Sequence, residues 1–134
     1  MAYIDDLNLV HDYHLREVTY LPPTDKKKLA VFDMDETLIH CLGTRKFTEQ
    51  GKKVNEDGVE LTADNADVVT WGMSMSGNTD RWQYFNIRPY AMECLKELAK
   101  DYQIVVFTAS DQTYADPMLD ALDPEGVIEY RFYR

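Results

Sequence analysis

The feature that most constrains this chain is an apolar run, Leu29-Ala30-Val31-Phe32, which ends abruptly in Asp33-Met34-Asp35-Glu36-Thr37. Apolar residues without alternation predict a strand covered on both faces, as in a parallel sheet flanked by helices. The acidic stretch then falls at the carboxyl end of that strand, the edge at which open α/β sheets bind ligands. A second such run, Ile104-Val105-Val106-Phe107, ends in Thr108-Ala109-Ser110, and Val127 to Tyr133 reads as a third strand.

The segments between these runs supply the crossovers. Arg88-Pro89 predicts the opening of a helix with proline at its first position, where the missing N–H costs little. Met92, Leu95, Leu98 and Ala99 then recur at helical spacing through Lys100. A second helix is expected from near Gln112 to Leu122, strained or broken at Pro117. Residues 43–83 read as a small antiparallel β insertion. One turn, Glu56-Asp57-Gly58, joins Lys53-Val54 to Val59-Glu60-Leu61; another, Ser76-Gly77-Asn78, joins Val68–Trp71 to Trp82–Phe85. Residues 1–28, with Pro22-Pro23 and Lys26-Lys27-Lys28, form a polar lead-in. Strand, insertion, helix, strand, helix, strand implies an α/β, Rossmann-like parallel sheet over residues 29–134, built by right-handed crossovers.

Composition narrows the function. The 134 residues carry a net charge of −10, which opposes non-specific attraction to the polyanions nucleic acid and anionic membrane. An anionic substrate remains compatible, because a phosphate answers to the local field of its pocket. Two cysteines, Cys41 and Cys94, are too few for a disulfide framework and are expected as reduced, buried thiols. No apolar run approaches the roughly 20 residues of a membrane span, and the N-terminus lacks the basic start and apolar stretch of a signal peptide. An intracellular protein, nuclear or cytoplasmic, is the expectation.

The acidic stretch has a chemistry of its own. Phosphoryl transfer needs a nucleophile, a proton donor for the leaving group and cations to neutralise the phosphoryl oxygens. Asp33 can attack phosphorus to give an aspartyl-phosphate, and Asp35 can protonate the leaving oxygen and later activate water. Magnesium favours one or two carboxylates together with phosphate and water. Thr37 offers a hydroxyl that can fix the loop or the nucleophile. A bare Asp-x-Asp triplet is more often a solvated turn. Its place at the end of one buried strand, with Thr108 at the end of another, argues for chemistry.

These stretches resemble a family. VFDMDETLIH looks like the first signature of haloacid-dehalogenase-type phosphatases, in the form used by the small phosphatases of the RNA polymerase II C-terminal domain, the NLI-interacting-factor-like group. VVFTASDQTYADPMLDALDP is similar to that group's second signature and the helix after it. Arg88-Pro89 and EYRFYR match further positions, so the resemblance covers roughly residues 28–134. It implies Asp33 as nucleophile and magnesium ligand, and Asp35 as general acid/base with its carbonyl on the metal. It also implies Thr37 as a loop-fixing residue, and Thr108 with Ala109 at the substrate phosphate. The implied substrate is a phosphoserine or phosphothreonine protein, the RNA polymerase II C-terminal domain among the candidates, held in an extended conformation beside the insertion. Family members carry a lysine and an acidic pair beyond the last strand seen here. The sequence stops at Arg134 before either, which implies weak or no catalysis by these residues alone. Relatives that use the fold for protein contacts make a non-catalytic binding module the alternative.

Other signals weigh less. His11 and His14 lack the further ligands that a zinc site needs. His40 is expected in a hydrogen-bonded structural role. Trp71, Trp82, Tyr84 and Phe85 suit either a substrate groove or a small core for the insertion, and the acidic stretch 56–67 reads as a solvated face.

Overall fold

A computed structural model describes residues 20–42, 47–71 and 82–134. Among these, strands β1 (Lys28–Phe32), β5 (Tyr102–Phe107) and β6 (Ile128–Phe132) form a parallel sheet in the order β1-β5-β6. Strands β2 (Ile39–Leu42), β3 (Val68–Trp71) and β4 (Trp82–Ile87) form a separate antiparallel sheet in the order β2-β4-β3. Helices α1 (Ala91–Leu98) and α2 (Gln112–Leu122) are the crossovers into β5 and β6. The expected α/β architecture is present.

The core lies on one face of the parallel sheet. Ala30 and Phe32 of β1, Ile104 and Val106 of β5 and Ile128 of β6 pack in one cluster with Ala91 and Leu95 of α1 and Ala115, Met118, Leu119 and Leu122 of α2. Phe85 of β4 and Met34 join it, so both sheets share this core. The opposite face corrects in part the expectation of strands covered on both sides. Leu29 is 49% exposed, Val31 57% and Phe107 62%, whereas Val105 of the central strand is buried. Topology supplies the reason. Both crossovers step the same way, from β1 to β5 and from β5 to β6, and right-handed connections that step one way deliver their helices to one face.

Three further expectations change. Helix α1 begins at Ala91 rather than at Pro89, after Tyr90 in a left-handed conformation (φ 65°). Pro89 therefore precedes the helix instead of occupying its first position. Helix α2 runs unbroken through Pro117; burial of Ala115, Met118, Leu119 and Leu122 outweighs the one backbone bond that a proline removes. Strand β2 was not anticipated. It leaves the acidic stretch directly, pairing Ile39 with Ile87 and Leu42 with Tyr84, so the antiparallel sheet reaches beyond residues 43–83. Within the insertion, Val54 bridges Glu60 antiparallel around a turn in which Asn55 Oδ1 accepts the N–H groups of Asp57 and Val59. The Ser76-Gly77-Asn78 turn lies outside the described residues, as do His11 and His14.

The lead-in is tied to the sheet at its amino end. Gln103 Nε2 donates to the Pro22 carbonyl at 2.9 Å and to Glu129 at 3.1 Å. Arg131 of β6 pairs with Asp116 and Asp120 of α2, each at 2.9 Å, and Tyr133 also donates to Asp116. Burial alone would raise the Asp116 carboxyl. Hydrogen bonds from Tyr133, Gln112 and Arg131 win and hold it below the usual carboxylate range.

Candidate active site

The acidic stretch folds into a tight turn anchored from beneath. Met34 is fully buried, and its carbonyl accepts the N–H groups of Leu38 at 2.8 Å, Ile39 at 3.2 Å and Thr37 at 3.3 Å. Glu36 takes a left-handed conformation (φ 59°) and donates its N–H to the Ile39 carbonyl at 2.8 Å. A left-handed conformation is uncommon outside glycine, and here it reverses the chain so that β2 starts at once. Arg88 clamps the turn from across the molecule. Its Nε donates to the Thr37 carbonyl, its Nη2 to the Glu36 carbonyl at 3.2 Å and its backbone N–H to the Leu38 carbonyl at 2.9 Å.

The turn presents its two aspartates differently. Asp33 is exposed; its Oδ1 accepts the Met34 N–H at 2.8 Å, and Oδ2 takes no hydrogen bond among the described residues. Asp35 is half-buried and both its oxygens are occupied. Oδ2 accepts from Ser110 Oγ at 2.8 Å and Oδ1 from the Tyr114 hydroxyl at 3.1 Å. Because β1 and β5 run parallel with Phe32 opposite Val106, the ends of the two strands meet at one edge. That contact is measured by the Asp35–Ser110 bond.

Thr108 lies at that edge and is 2% exposed; its N–H donates to the Phe132 carbonyl and its Oγ1 accepts the Ser110 N–H at 3.1 Å. Ala109 beside it is exposed. Thr37 contributes through its backbone, as the acceptor of the Arg88 guanidinium. Lys96 and Lys100 pair with Glu125 and Glu97. His40 Nδ1 lies 2.8 Å from Glu36 Oε1 in an exposed pair, in keeping with the structural role expected of it.

Sequence reasoning overlooked Ser110, Tyr114 and the clamping role of Arg88. A local signal existed for the second. Asp111 caps α2, its Oδ1 accepting the Tyr114 N–H at 2.9 Å. An N-cap aspartate fixes the residue three positions on, which here is Tyr114. Its ring packs edge-on against Phe85, centroids 5.6 Å apart. Burial, with Cys41 and Asp35 close by, pushes the Tyr114 hydroxyl well above its usual range, so it serves as a neutral donor. Burial likewise raises the Cys41 thiol, against the opposing influence of Lys53 and the nearby Tyr114 hydroxyl. Cys94, expected to be buried, is exposed on α1.

The insertion aromatics divide between the two readings given to them. Phe85 is core, whereas Trp71 and Trp82 are exposed and pack edge to face at 4.9 Å. A cleft of about 310 Å³ lined by Glu36, His40, Asn86, Arg88 and Pro89 borders the motif turn beside β2 and β4. No cluster of three or more His, Cys, Asp or Glu side chains suited to a metal occurs among the described residues.

The chain is similar to known proteins. The family model described as NLI interacting factor-like phosphatase matches residues 28–134. Phosphatase PSR1 of Saccharomyces cerevisiae is 32% identical over 120 residues, covering 87% of this chain and 24% of that protein. The carboxy-terminal domain RNA polymerase II polypeptide A small phosphatase 2 of Mus musculus is 35% identical over 105 residues, covering 78% of this chain and 32% of that protein. Among solved structures, the fission yeast RNA polymerase II CTD phosphatase Fcp1-R271A bound to beryllium fluoride superposes with a TM-score of 0.54 at 14% identity. That match covers 98% of this chain and 32% of the other. The chain thus spans about a quarter to a third of the length of these relatives.

Proposed function

The chain belongs to the NLI interacting factor-like phosphatase family, of haloacid dehalogenase type, and from that premise we propose that it dephosphorylates phosphoserine or phosphothreonine in proteins through an aspartyl-phosphate. The observation that carries the proposal is the pairing of an exposed Asp33 with a held Asp35 at the shared carboxyl edge of β1 and β5. In the first step a carboxylate oxygen of Asp33 attacks phosphorus, the bond from phosphorus to the seryl or threonyl oxygen breaks, and Asp35 supplies the proton that oxygen takes. In the second, water attacks the acyl phosphate, Asp35 removes its proton, and the Asp33 carboxylate is restored as inorganic phosphate leaves.

The donor set suits magnesium. Asp33 keeps one carboxylate oxygen without a protein partner among the described residues, and the Asp35 carbonyl stands two residues on. Magnesium takes a small number of protein oxygens and completes its shell with phosphate and water. When bound there it would offset the repulsion between Asp33 and the phosphate dianion. Thr108 and Ala109, at the end of β5, are the proposed neighbours of the substrate phosphate. The cleft beside β2 and β4 is a course along which an extended peptide, such as the repeats of the RNA polymerase II C-terminal domain, can lie. A nuclear or cytoplasmic setting goes with such a substrate.

The test is hydrolysis of an aryl phosphate and of a phosphoserine peptide by the intact natural protein, with and without magnesium. Turnover should require the metal. Asp33→Asn should lower it by at least about a thousandfold, as removal of a covalent nucleophile does. Full activity in that variant would refute the mechanism, and no turnover by the intact protein would leave the fold as a binding module.

A further inference from the structure

We propose that Ser110 and Tyr114 are positioning residues that hold Asp35 for proton transfer, and that this hold decides how well the enzyme releases poor leaving groups. The inference rests on the phosphatase reading above and deepens it.

The geometry is specific to Asp35. Its two carboxylate oxygens accept from two hydroxyls, Ser110 Oγ at 2.8 Å and Tyr114 Oη at 3.1 Å, whereas among the described residues Asp33, two residues earlier, accepts from one backbone N–H. Ser110 and Tyr114 come from one rigid piece, the end of β5 and the first turn of α2. Ser110 N–H is tied to Thr108 Oγ1, Tyr114 N–H to the Asp111 cap and the Tyr114 ring to Phe85. Among the described side-chain hydrogen bonds, Asp35 is the link between the turn that carries both aspartates and the end of the second strand.

The chemistry of the donors fits a group that changes protonation. An amide N–H can only donate and would favour the carboxylate. A hydroxyl donates or accepts by rotating about its C–O bond, so the same two oxygens can hold Asp35 as carboxylate or as carboxylic acid. A general acid misplaced by about an ångström loses orders of magnitude in rate. That loss reaches only those reactions whose leaving group needs the proton.

Leaving-group dependence is therefore the decisive measurement. The variants are Tyr114→Phe, which keeps the ring on Phe85, and Ser110→Ala, both in the intact protein, with thermal melting to check folding. The readout is kcat/KM, which reports the steps up to the first irreversible one, the transfer to Asp33. With a phosphoserine peptide, whose alkoxide leaves poorly, each variant should lose about ten- to a hundredfold, within the usual range of general acid catalysis. With p-nitrophenyl phosphate, whose phenolate leaves without help, the loss should stay below about threefold, since assistance follows leaving-group basicity. Equal losses on both substrates, or losses confined to KM, would overturn the inference and make the pair ordinary packing. Wild type and Asp33→Asn run alongside separate the two claims. If these two are equally active, the phosphatase reading fails; if only the leaving-group difference is missing, the positioning role alone fails.

Discussion

The two faces of the parallel sheet are built from similar residues and fare very differently. On one face Ala30, Phe32, Ile104, Val106 and Ile128 meet both helices; on the other Leu29, Val31 and Phe107 stand about half or more exposed, and Val105 of the central strand is buried. Composition does not distinguish them, since valine and phenylalanine occur on both. The direction of chain travel does. The crossovers step from β1 to β5 to β6, and connections of the usual right hand that step one way place α1 and α2 together; a helix reaches the second face from a crossover that steps back the other way. The covered face is also the one that builds the site. Helix α2, lying there, brings Tyr114 to Asp35.

The comparison is broken or kept by paired truncations in the intact protein, read by urea denaturation. Ile104→Ala, on the covered face of the central strand and fully buried, should cost about 2–5 kcal/mol. Val31→Ala, on the edge strand of the other face, should cost about 0.5 kcal/mol or less, as exposed substitutions do. Equal losses would show that the second face is buried in the intact protein.

The legibility of the sequence follows the same division. The strands β1, β5 and β6 and the helix Gln112–Leu122 were readable because each is a short apolar or amphipathic segment with marked ends. Single-sided coverage was not, because Leu29-Ala30-Val31-Phe32 carries no record of which way the following crossovers step. Strand β2 was hidden by its position, Ile39 following the acidic turn with no loop between, an arrangement that depends on the left-handed Glu36. At the site, Asp33, Asp35 and Thr108 were visible from their places at strand ends. Ser110 and Tyr114 needed the register of β1 on β5 before 75 and 79 residues of separation could close. Arg88 stands out in the sequence through its neighbour Pro89, while its clamp on Thr37, 51 residues away, has no local trace.

A second test sharpens the covered face at its outer rim, with a smaller effect. Asp116 of α2 gathers Arg131, Tyr133 and Gln112, and its carboxyl titrates below the usual range. A carboxylate depressed by folding contributes stability above its unfolded value, about 3.9, and loses it as pH falls through the lower folded value. The rim is partly exposed, so the contribution should be on the order of 1 kcal/mol or below. Asp116→Asn should therefore melt a few degrees lower than wild type at pH 7, and the gap should close as pH falls from about 4 towards 2. A gap that stays constant into acid would mean that the carboxylate's charge contributes nothing to joining α2 to β6.

The smallest effect asks whether inside and outside differ at the level of single thiols. Cys41 sits half-buried beside Tyr114, its thiol raised by burial; Cys94 lies exposed on α1. Alkylation needs the thiolate and access to it, and both disfavour Cys41. Timed exposure to iodoacetamide at pH 8, followed by peptide mass analysis, should label Cys94 at least about tenfold faster. Equal rates would show that Cys41 is as accessible as Cys94 despite its place beside Tyr114.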